Sequence, residues 1–232
     1  MATRPVSKDE RRAPLNRERV LRAAMELADE EGIESLTMRK LARELGVEAM
    51  SLYNHVANKG DLVDGIVDLA VEEIDLPSAE EDWDTAIRKC AISAHEALLR
   101  HPWACGLAIL PTSTRSVRMP RLRYMEWLLG RLREAGFSPE LTFHAYHTLD
   151  SHIFGFTLWQ LGHMEGAKDI AAGEDPEEFA TRFLREFRAT GHPYFAEHVE
   201  QHLAEPPGEG AREFEFALDL ILDGLQRARD RR

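Results

Sequence analysis

The sequence has few cysteines and no long apolar run. Only two of its 232 residues are cysteines, Cys90 and Cys105, and they do not form a C-x-x-C pair. Without that spacing, the expectation is two reduced, buried thiols in a cytoplasmic protein. No stretch reaches the roughly 18 apolar residues that span a bilayer, and no apolar segment follows the N-terminal arginines. We therefore expect no membrane partner and no signal peptide.

The sequence also lacks the local motifs of common enzymes. It has no glycine-rich phosphate loop, no nucleophile elbow and no paired-carboxylate motif, so we predict no catalytic residue and no cofactor. Its ten histidines and two cysteines leave one alternative open, an all-helical enzyme with a Cys–His site. No segment alternates with the period of two that is typical of strands, and the predicted fold class is all-α.

The chain as a whole has no excess of positive charge, although its N-terminal segment does. The net charge is −12, which is unusual for a nucleic-acid-binding protein. Residues 1–60, however, are nearly balanced, with 11 basic and 10 acidic side chains, and the first 22 residues carry seven basic against three acidic side chains. A DNA-binding surface needs only such a local excess. The alternative is a solvated, functionless N-terminal tail.

Helical periodicity and capping residues divide the N-terminal third into four helices. A flexible basic arm is predicted over residues 1–14, followed by a helix over 15–31 that Gly32 ends. Thr37 is the predicted cap of a second helix that stops at Gly46. A short third helix is expected over residues 48–55, and Asn58 caps a fourth that runs to residue 74.

The remaining chain also shows helical patterns. Helices are predicted over residues 83–100, 102–110, 117–135, 139–164, 176–189, 193–204 and 211–228. Pro77 and the acidic residues after it mark a boundary. We therefore predict a helix-turn-helix DNA-binding domain with its connecting helix over residues 15–75. A larger helical domain for ligand binding and dimerisation follows over residues 76–232.

The second and third helices have the spacing of a helix-turn-helix unit. The first helix of such a pair braces the second, which lies in the major groove with side chains at the base edges. Leu52 and Val56 would anchor the second helix, which leaves Met50, Tyr53 and Asn54 pointing outward. An exposed Met and Tyr suit a groove, where apolar atoms contact thymine methyl groups. The alternative is a plain three-helix core packed on the larger domain.

Three short motifs then point to a known family. They are Leu36-Thr37-Met38-Arg39-Lys40-Leu41-Ala42-Arg43-Glu44-Leu45-Gly46-Val47, Ser51-Leu52-Tyr53-Asn54-His55-Val56 and Asn58-Lys59-Gly60-Asp61-Leu62. Together they resemble the tetracycline-repressor (TetR) family, and the resemblance covers about residues 16–75. The last segment, residues 214–225, is similar to the final helix of the tetracycline-repressor branch.

The resemblance implies roles for individual residues at the DNA. It places contacts with bases or phosphates at Thr37, Arg39, Ala49, Met50, Ser51, Tyr53, Asn54, His55 and Lys59. Lys59, at the start of the fourth helix, is implied to bind a backbone phosphate, which the positive end of the helix also favours. The tetracycline repressors have Gln-Pro-Thr where this chain has Ala49-Met50-Ser51, so their operator sequence is not carried over.

The resemblance also implies a small-molecule effector bound among the helices of the second domain. Candidate ligand-binding residues are His95, Trp103, Leu107, Tyr124, Trp127, His147, Ser151 and Phe154. Trp and Tyr beside His suit a planar, partly apolar molecule, although ordinary core packing is the alternative for each of them. The stretch 105–110 lacks the histidine through which tetracycline repressors hold a drug–magnesium chelate, so that ligand is not expected.

A homodimer is implied through a four-helix interface. Its predicted residues lie on the helices over 139–164 and 211–228, and they are Phe156, Trp159, Leu218, Ile221 and Leu225. His144, His147 and Asp150 lie three residues apart, but their angular spread is poor, and no metal site is predicted. The sequence thus predicts a ligand-responsive repressor of double-stranded operator DNA. The alternatives are a DNA-binding regulator without an effector and the helical enzyme.

Overall fold

The computed structural model describes residues 14–109, 119–171, 176–188, 191–204 and 210–231. These residues form eleven α-helices, one short 3-10 helix over Ile33–Ser35 and no strand. The helices are α1 (Arg17–Glu31), α2 (Met38–Leu45), α3 (Ala49–Leu52), α4 (Lys59–Glu72), α5 (Trp83–Arg100), α6 (Pro102–Ile109), α7 (Met119–Glu134), α8 (Pro139–Ala171), α9 (Pro176–Arg188), α10 (Pro193–Ala204) and α11 (Gly210–Asp230). The predicted all-α fold class is confirmed.

The chain divides into two compact units between residues 146 and 147, within α8. In the first unit, α1 packs on α2 and α4, and α2 packs on α3. The core of this bundle consists of side chains with no exposed surface, namely Val20, Ala24, Leu36, Leu41, Leu52, Leu62 and Ile66. Helix α4 also contacts α5, α6 and α7. The helix-turn-helix therefore rests on a larger helical body through α4.

Polar caps begin three of these helices; those at Thr37 and Asn58 were predicted from the sequence, and the one at Asn16 was not. The Asn16 side chain accepts the amide N–H of Arg19 at 2.8 Å, and the Asn58 side chain accepts that of Asp61 at 2.9 Å. Thr37 Oγ1 accepts the amide of Lys40 at 3.2 Å. Each bond satisfies a donor that the first helical turn leaves without a backbone partner.

The turn between α2 and α3 depends on one glycine. Gly46 has φ 67° and ψ 34°, in the left-handed region that side chains with a Cβ rarely adopt. Its amide donates to carbonyls at the end of α2, and the amide of Val47 donates to the Ala42 carbonyl at 3.0 Å. These bonds end α2 sharply and set the direction of α3.

In the second unit, α8 and α11 meet through aromatic side chains. The rings of His152 and Phe214 are stacked, with centroids 4.6 Å apart, and Phe156 packs edge-on against Phe214 at 5.5 Å. The His152 Nε2 atom lies 3.1 Å from the Phe214 carbonyl oxygen. Helices α9 and α10 pack on each other in the same unit.

Two helices differ in length from their predictions. Helix α3 covers only residues 49–52 instead of 48–55, because the chain turns after Tyr53 and the His55 carbonyl accepts the Arg17 guanidinium at 2.7 Å. Helix α8 continues to residue 171 instead of ending near 164. One glycine costs a helix only about 1 kcal/mol, so Gly166 does not end α8. Nearly all of the predicted arm lies outside the described residues.

Candidate DNA-binding surface and effector region

The short α3 presents an exposed face over a buried anchor. Leu52 is fully buried and Val56 nearly so, as predicted. Met50 is 76% exposed and Tyr53 46%, and Asn54 is exposed beside them. Met50 and Tyr53 are thus large side chains that stand out into solvent from a rigidly anchored turn. They therefore mark a surface that can contact another molecule.

The other predicted DNA contacts lie around this face. Ala49, Ser51 and His55 are half-buried, while Arg39 is exposed on α2 and Lys59 is exposed on the first turn of α4. The Thr37 side chain already accepts a hydrogen bond as the cap of α2. The segment 37–59 carries four basic and two acidic side chains, a local positive excess within an acidic protein.

An arginine–aspartate fork, which the sequence did not reveal, holds the turn after α3. Arg17 Nη1 and Nη2 lie 3.0 and 2.9 Å from the two carboxylate oxygens of Asp61, and Nη1 also donates to the His55 carbonyl at 2.7 Å. The same Asp61 carboxylate accepts the amide of Ala57 at 2.9 Å. The ends of α1 and α4 thereby fix the chain between Tyr53 and Lys59.

A second unpredicted cluster joins α1 and α4 to the corner between α5 and α6. The imidazole of His101 lies at this corner, with Nδ1 2.8 Å from Asp29 Oδ1 and Nε2 3.2 Å from Glu73 Oε1. Glu73 also accepts Arg100 at 2.9 Å. Burial lowers the pKa of His101, but hydrogen bonds and charge from Asp29 and Glu73 outweigh burial and raise this pKa above its ordinary value.

A third cluster ties α4 to α7. Arg121 Nε lies 3.4 Å from Asp68 Oδ1, and its Nη2 lies 4.0 Å from Asp64 Oδ1. Both aspartates are buried. Two acids four residues apart in the otherwise apolar stretch 62–71 are a sequence signal for a buried ionic partner. The sequence alone does not identify Arg121 as that partner.

Five of the predicted ligand-binding residues lie on α5, α6 and α7 in the first unit, where α5 packs on both α6 and α7. His95 and Tyr124 are buried, and Leu107 is half-buried. The two indoles have structural partners, since Trp103 donates to Asp29 at 2.6 Å and Trp127 donates to the Pro77 carbonyl at 3.0 Å. Their proposed roles at a ligand remain predictions.

The other three predicted ligand-binding residues lie on α8 in the second unit. His147 and Ser151 are exposed, and Phe154 is half-buried. Since these three belong to a different compact unit from the other five, a common pocket stays a prediction.

The residues predicted at the dimer interface differ in how far their side chains are exposed to solvent. Trp159 is 43% exposed, and Phe156 and Ile221 are half-buried. Leu218 and Leu225 are buried within the single chain, so their side chains have little surface to offer a partner. Large exposed apolar side chains on α11 are instead Phe216 and Leu220.

One of the two thiols open to the enzyme alternative, that of Cys105, is poorly suited to nucleophilic attack. Cys105 is fully buried in α6, and burial raises the pKa of its thiol to about 11. Such a thiol stays protonated at neutral pH, whereas the thiolate is the nucleophile. Within the described residues, no group of three or more His, Cys, Asp or Glu side chains is arranged to hold a metal ion. None of the described helices has the length and apolarity to cross a membrane.

Two family profiles match the sequence. The profile of bacterial regulatory proteins of the tetR family matches residues 20–66. The profile of the tetracyclin repressor-like C-terminal domain matches residues 76–229.

Individual relatives agree with the profiles. The class D tetracycline repressor protein of Escherichia coli is 36% identical over 182 residues, which cover 75% of this chain and 78% of the relative. The HTH-type transcriptional repressor DrrR1 of Streptomyces coeruleorubidus is 32% identical over 91% of this chain and 77% of its own length. The crystal structure of the TetR family protein ActR of Streptomyces coelicolor, in complex with actinorhodin, has a TM-score of 0.72. It is 26% identical, and the match covers 94% of this chain and 99% of ActR.

Proposed function

The chain belongs to the tetR family of bacterial regulatory proteins and is a transcriptional repressor, and from this we propose that it binds a palindromic operator as a homodimer and is released by a small, partly aromatic molecule. Residues 15–75 form the DNA-binding part in this proposal, and residues 76–232 bind the effector and the second subunit.

The exposed face of α3 is the observation that carries the DNA-binding proposal. In this proposal the exposed Met50 of α3 and the exposed Tyr53 and Asn54 of the turn after it contact base edges. The Arg17–Asp61 fork holds that turn. Lys59 contacts a backbone phosphate, which sets the register of the protein on the duplex. Because a two-fold protein matches a two-fold site, the operator is an inverted repeat.

The direct test is a selection of genomic fragments by the purified full-length protein. The proposal expects an inverted repeat whose half-site centres are about one helical turn, roughly 34–36 Å, apart. Enrichment of no common sequence would count against operator binding.

Substitutions at Lys59 and Met50 should affect DNA binding in different ways. Lys59→Ala should weaken binding to operator and to unrelated duplex alike. It should lower the salt-dependence slope by roughly 0.9 per subunit, or roughly 1.8 for the dimer, because each subunit loses one phosphate contact. Met50→Ala should instead change the preferred bases in a repeated selection and leave the affinity for unrelated duplex unaltered. Equal losses on both duplexes for the two variants would contradict this division of roles.

The effector proposal rests on family membership and on the position of α4. ActR, which is similar to this chain over nearly its whole length, was solved with actinorhodin and also with (S)-DNPA. Helix α4 bears Lys59 at one end, and its buried Ile66 and Val67 pack in the first unit, where α4 contacts α5, α6 and α7. A ligand that favours a different tilt of α4 would change the distance between the two recognition helices and release the DNA.

Ser151→Trp tests the effector region on α8. We expect the variant to bind operator normally but to lose release by compounds that raise the melting temperature of the wild-type protein, because an indole fills the space of the ligand. Operator affinity is measured by fluorescence anisotropy with and without each compound. If compounds that bind the wild-type protein leave its operator affinity unchanged, the alternative of a regulator without an effector is favoured.

The proposed dimer interface uses α8 and α11, on a different face of α11 from the one that the sequence predicts. Leu218 and Leu225 point into the second unit, whereas Phe216 and Leu220 lie four residues apart on an exposed face and are 67% and 56% exposed. Trp159 of α8 is 43% exposed, and in this proposal a second subunit buries all three side chains.

A further inference from the structure

The first turn of α4 contains an electrostatic conflict. The proposed operator binding places the N-terminus of α4 and Lys59 beside a DNA phosphate, where positive potential is needed. Two residues after Lys59, however, the chain has the carboxylate of Asp61, which also accepts the amide of Ala57. A carboxylate in this turn repels the phosphate that the helix end attracts.

Arg17 resolves this conflict by its position. Arg17, the first residue of α1, lies 44 residues before Asp61 in the sequence. Its guanidinium nevertheless forms two hydrogen bonds, one with each carboxylate oxygen of Asp61. Paired nitrogen and oxygen atoms 2.9–3.0 Å apart neutralise the carboxylate locally and leave it free to hold the turn as a hydrogen-bond acceptor. The side chains are 41% and 22% exposed, so the loss of either charge would change the potential at the surface.

We propose that Arg17 is a positioning residue for DNA binding, which acts by neutralising Asp61 at the phosphate-binding end of α4 and not by touching DNA itself. This inference rests on the operator binding proposed above. It predicts opposite effects when either member of the pair loses its charge, which distinguishes charge neutralisation from a purely structural role.

The test is a double-mutant cycle in the full-length protein. Arg17→Gln removes the guanidinium charge from the Asp61 carboxylate and should weaken operator binding by about tenfold. Asp61→Asn retains an acceptor oxygen for Ala57, removes the negative charge and should strengthen binding by about threefold. The double variant, whose charge equals that of the wild-type pair, should return to within about twofold of wild-type affinity.

Two further variants make the result interpretable. Arg17→Lys keeps the charge but loses the fork, and it should bind within about threefold of wild type. Lys89→Gln breaks the Lys89–Glu81 pair of α5, outside the N-terminal basic segment, and should leave affinity unchanged. If both single changes at the fork weaken binding and the double variant is no better, Arg17 is only structural. If Arg17→Gln costs the same with and without Asp61→Asn, Arg17 contacts DNA directly. Either result overturns the proposal.

Measurements on two different DNA duplexes separate this inference from the proposed function. Affinities are measured on the duplex recovered by the wild-type protein and on an unrelated duplex of equal length, and thermal unfolding checks that each variant is folded. Failure of the wild-type protein to recover an inverted repeat would reject the operator proposal. The charge cycle can still be measured on the unrelated duplex, because phosphate attraction is common to both.

Discussion

Leu220→Glu is expected to convert the protein into a monomer that has lost its high affinity for the operator. Leu220 is more than half exposed on α11, one turn after Phe216, on the apolar face that we assign to the dimer interface. Burying a carboxylate there costs several kcal/mol, and two-fold symmetry introduces the charge twice. We expect dimerisation at least about a hundredfold weaker, which corresponds to roughly 3 kcal/mol.

Operator binding should fall with dimerisation, because a monomer can occupy only one half-site at a time. The oligomeric state is measured by sedimentation velocity over a range of concentrations, and operator affinity is measured at the same concentrations. Tyr194→Glu is the matched control, since Tyr194 is an exposed aromatic residue on α10 that lies outside the proposed face. A Leu220→Glu variant that remains a dimer with normal operator affinity would place the interface elsewhere.

His101→Gln should make the protein less stable at mildly acidic pH, and this loss should shrink as the pH rises. Both ring nitrogens of His101 lie near carboxylates, and only the protonated ring can donate to Asp29 and Glu73 at once. The folded-state pKa is raised, so the stabilisation is fully present below the unfolded pKa of about 6.5. It is lost as the pH rises through the higher folded pKa. The expected loss at low pH is about 1–3 kcal/mol in free energy of unfolding.

Urea unfolding at a series of pH values measures this effect. His152→Gln provides a control of opposite sign. Burial lowers the pKa of His152 despite its hydrogen bond to the Phe214 carbonyl, so the stabilisation by its neutral ring is present above the unfolded pKa and lost as the pH falls. A constant difference between wild type and His101→Gln across the range would show that the ring is not protonated between its two carboxylates.

The helices and their ends follow from local sequence. Thr37 and Asn58 cap their helices as predicted because a cap requires only a side-chain oxygen three residues before an amide donor. Gly46 ends α2 because its lack of a Cβ permits a left-handed backbone. Leu52 and Val56 are buried because their four-residue spacing places them on one side of the chain. Short-range geometry thus determined the helix-turn-helix.

The connections between these helices were decided by the tertiary structure. Asp29 and His101 are 72 residues apart, and Arg17 and Asp61 are 44 apart. No local pattern specifies such partners, because each depends on which helix faces which after packing. The same reason explains α11, where apolar residues lie on more than one face. Only the packing of the second unit shows that Leu218 is buried and that Phe216 and Leu220 remain exposed.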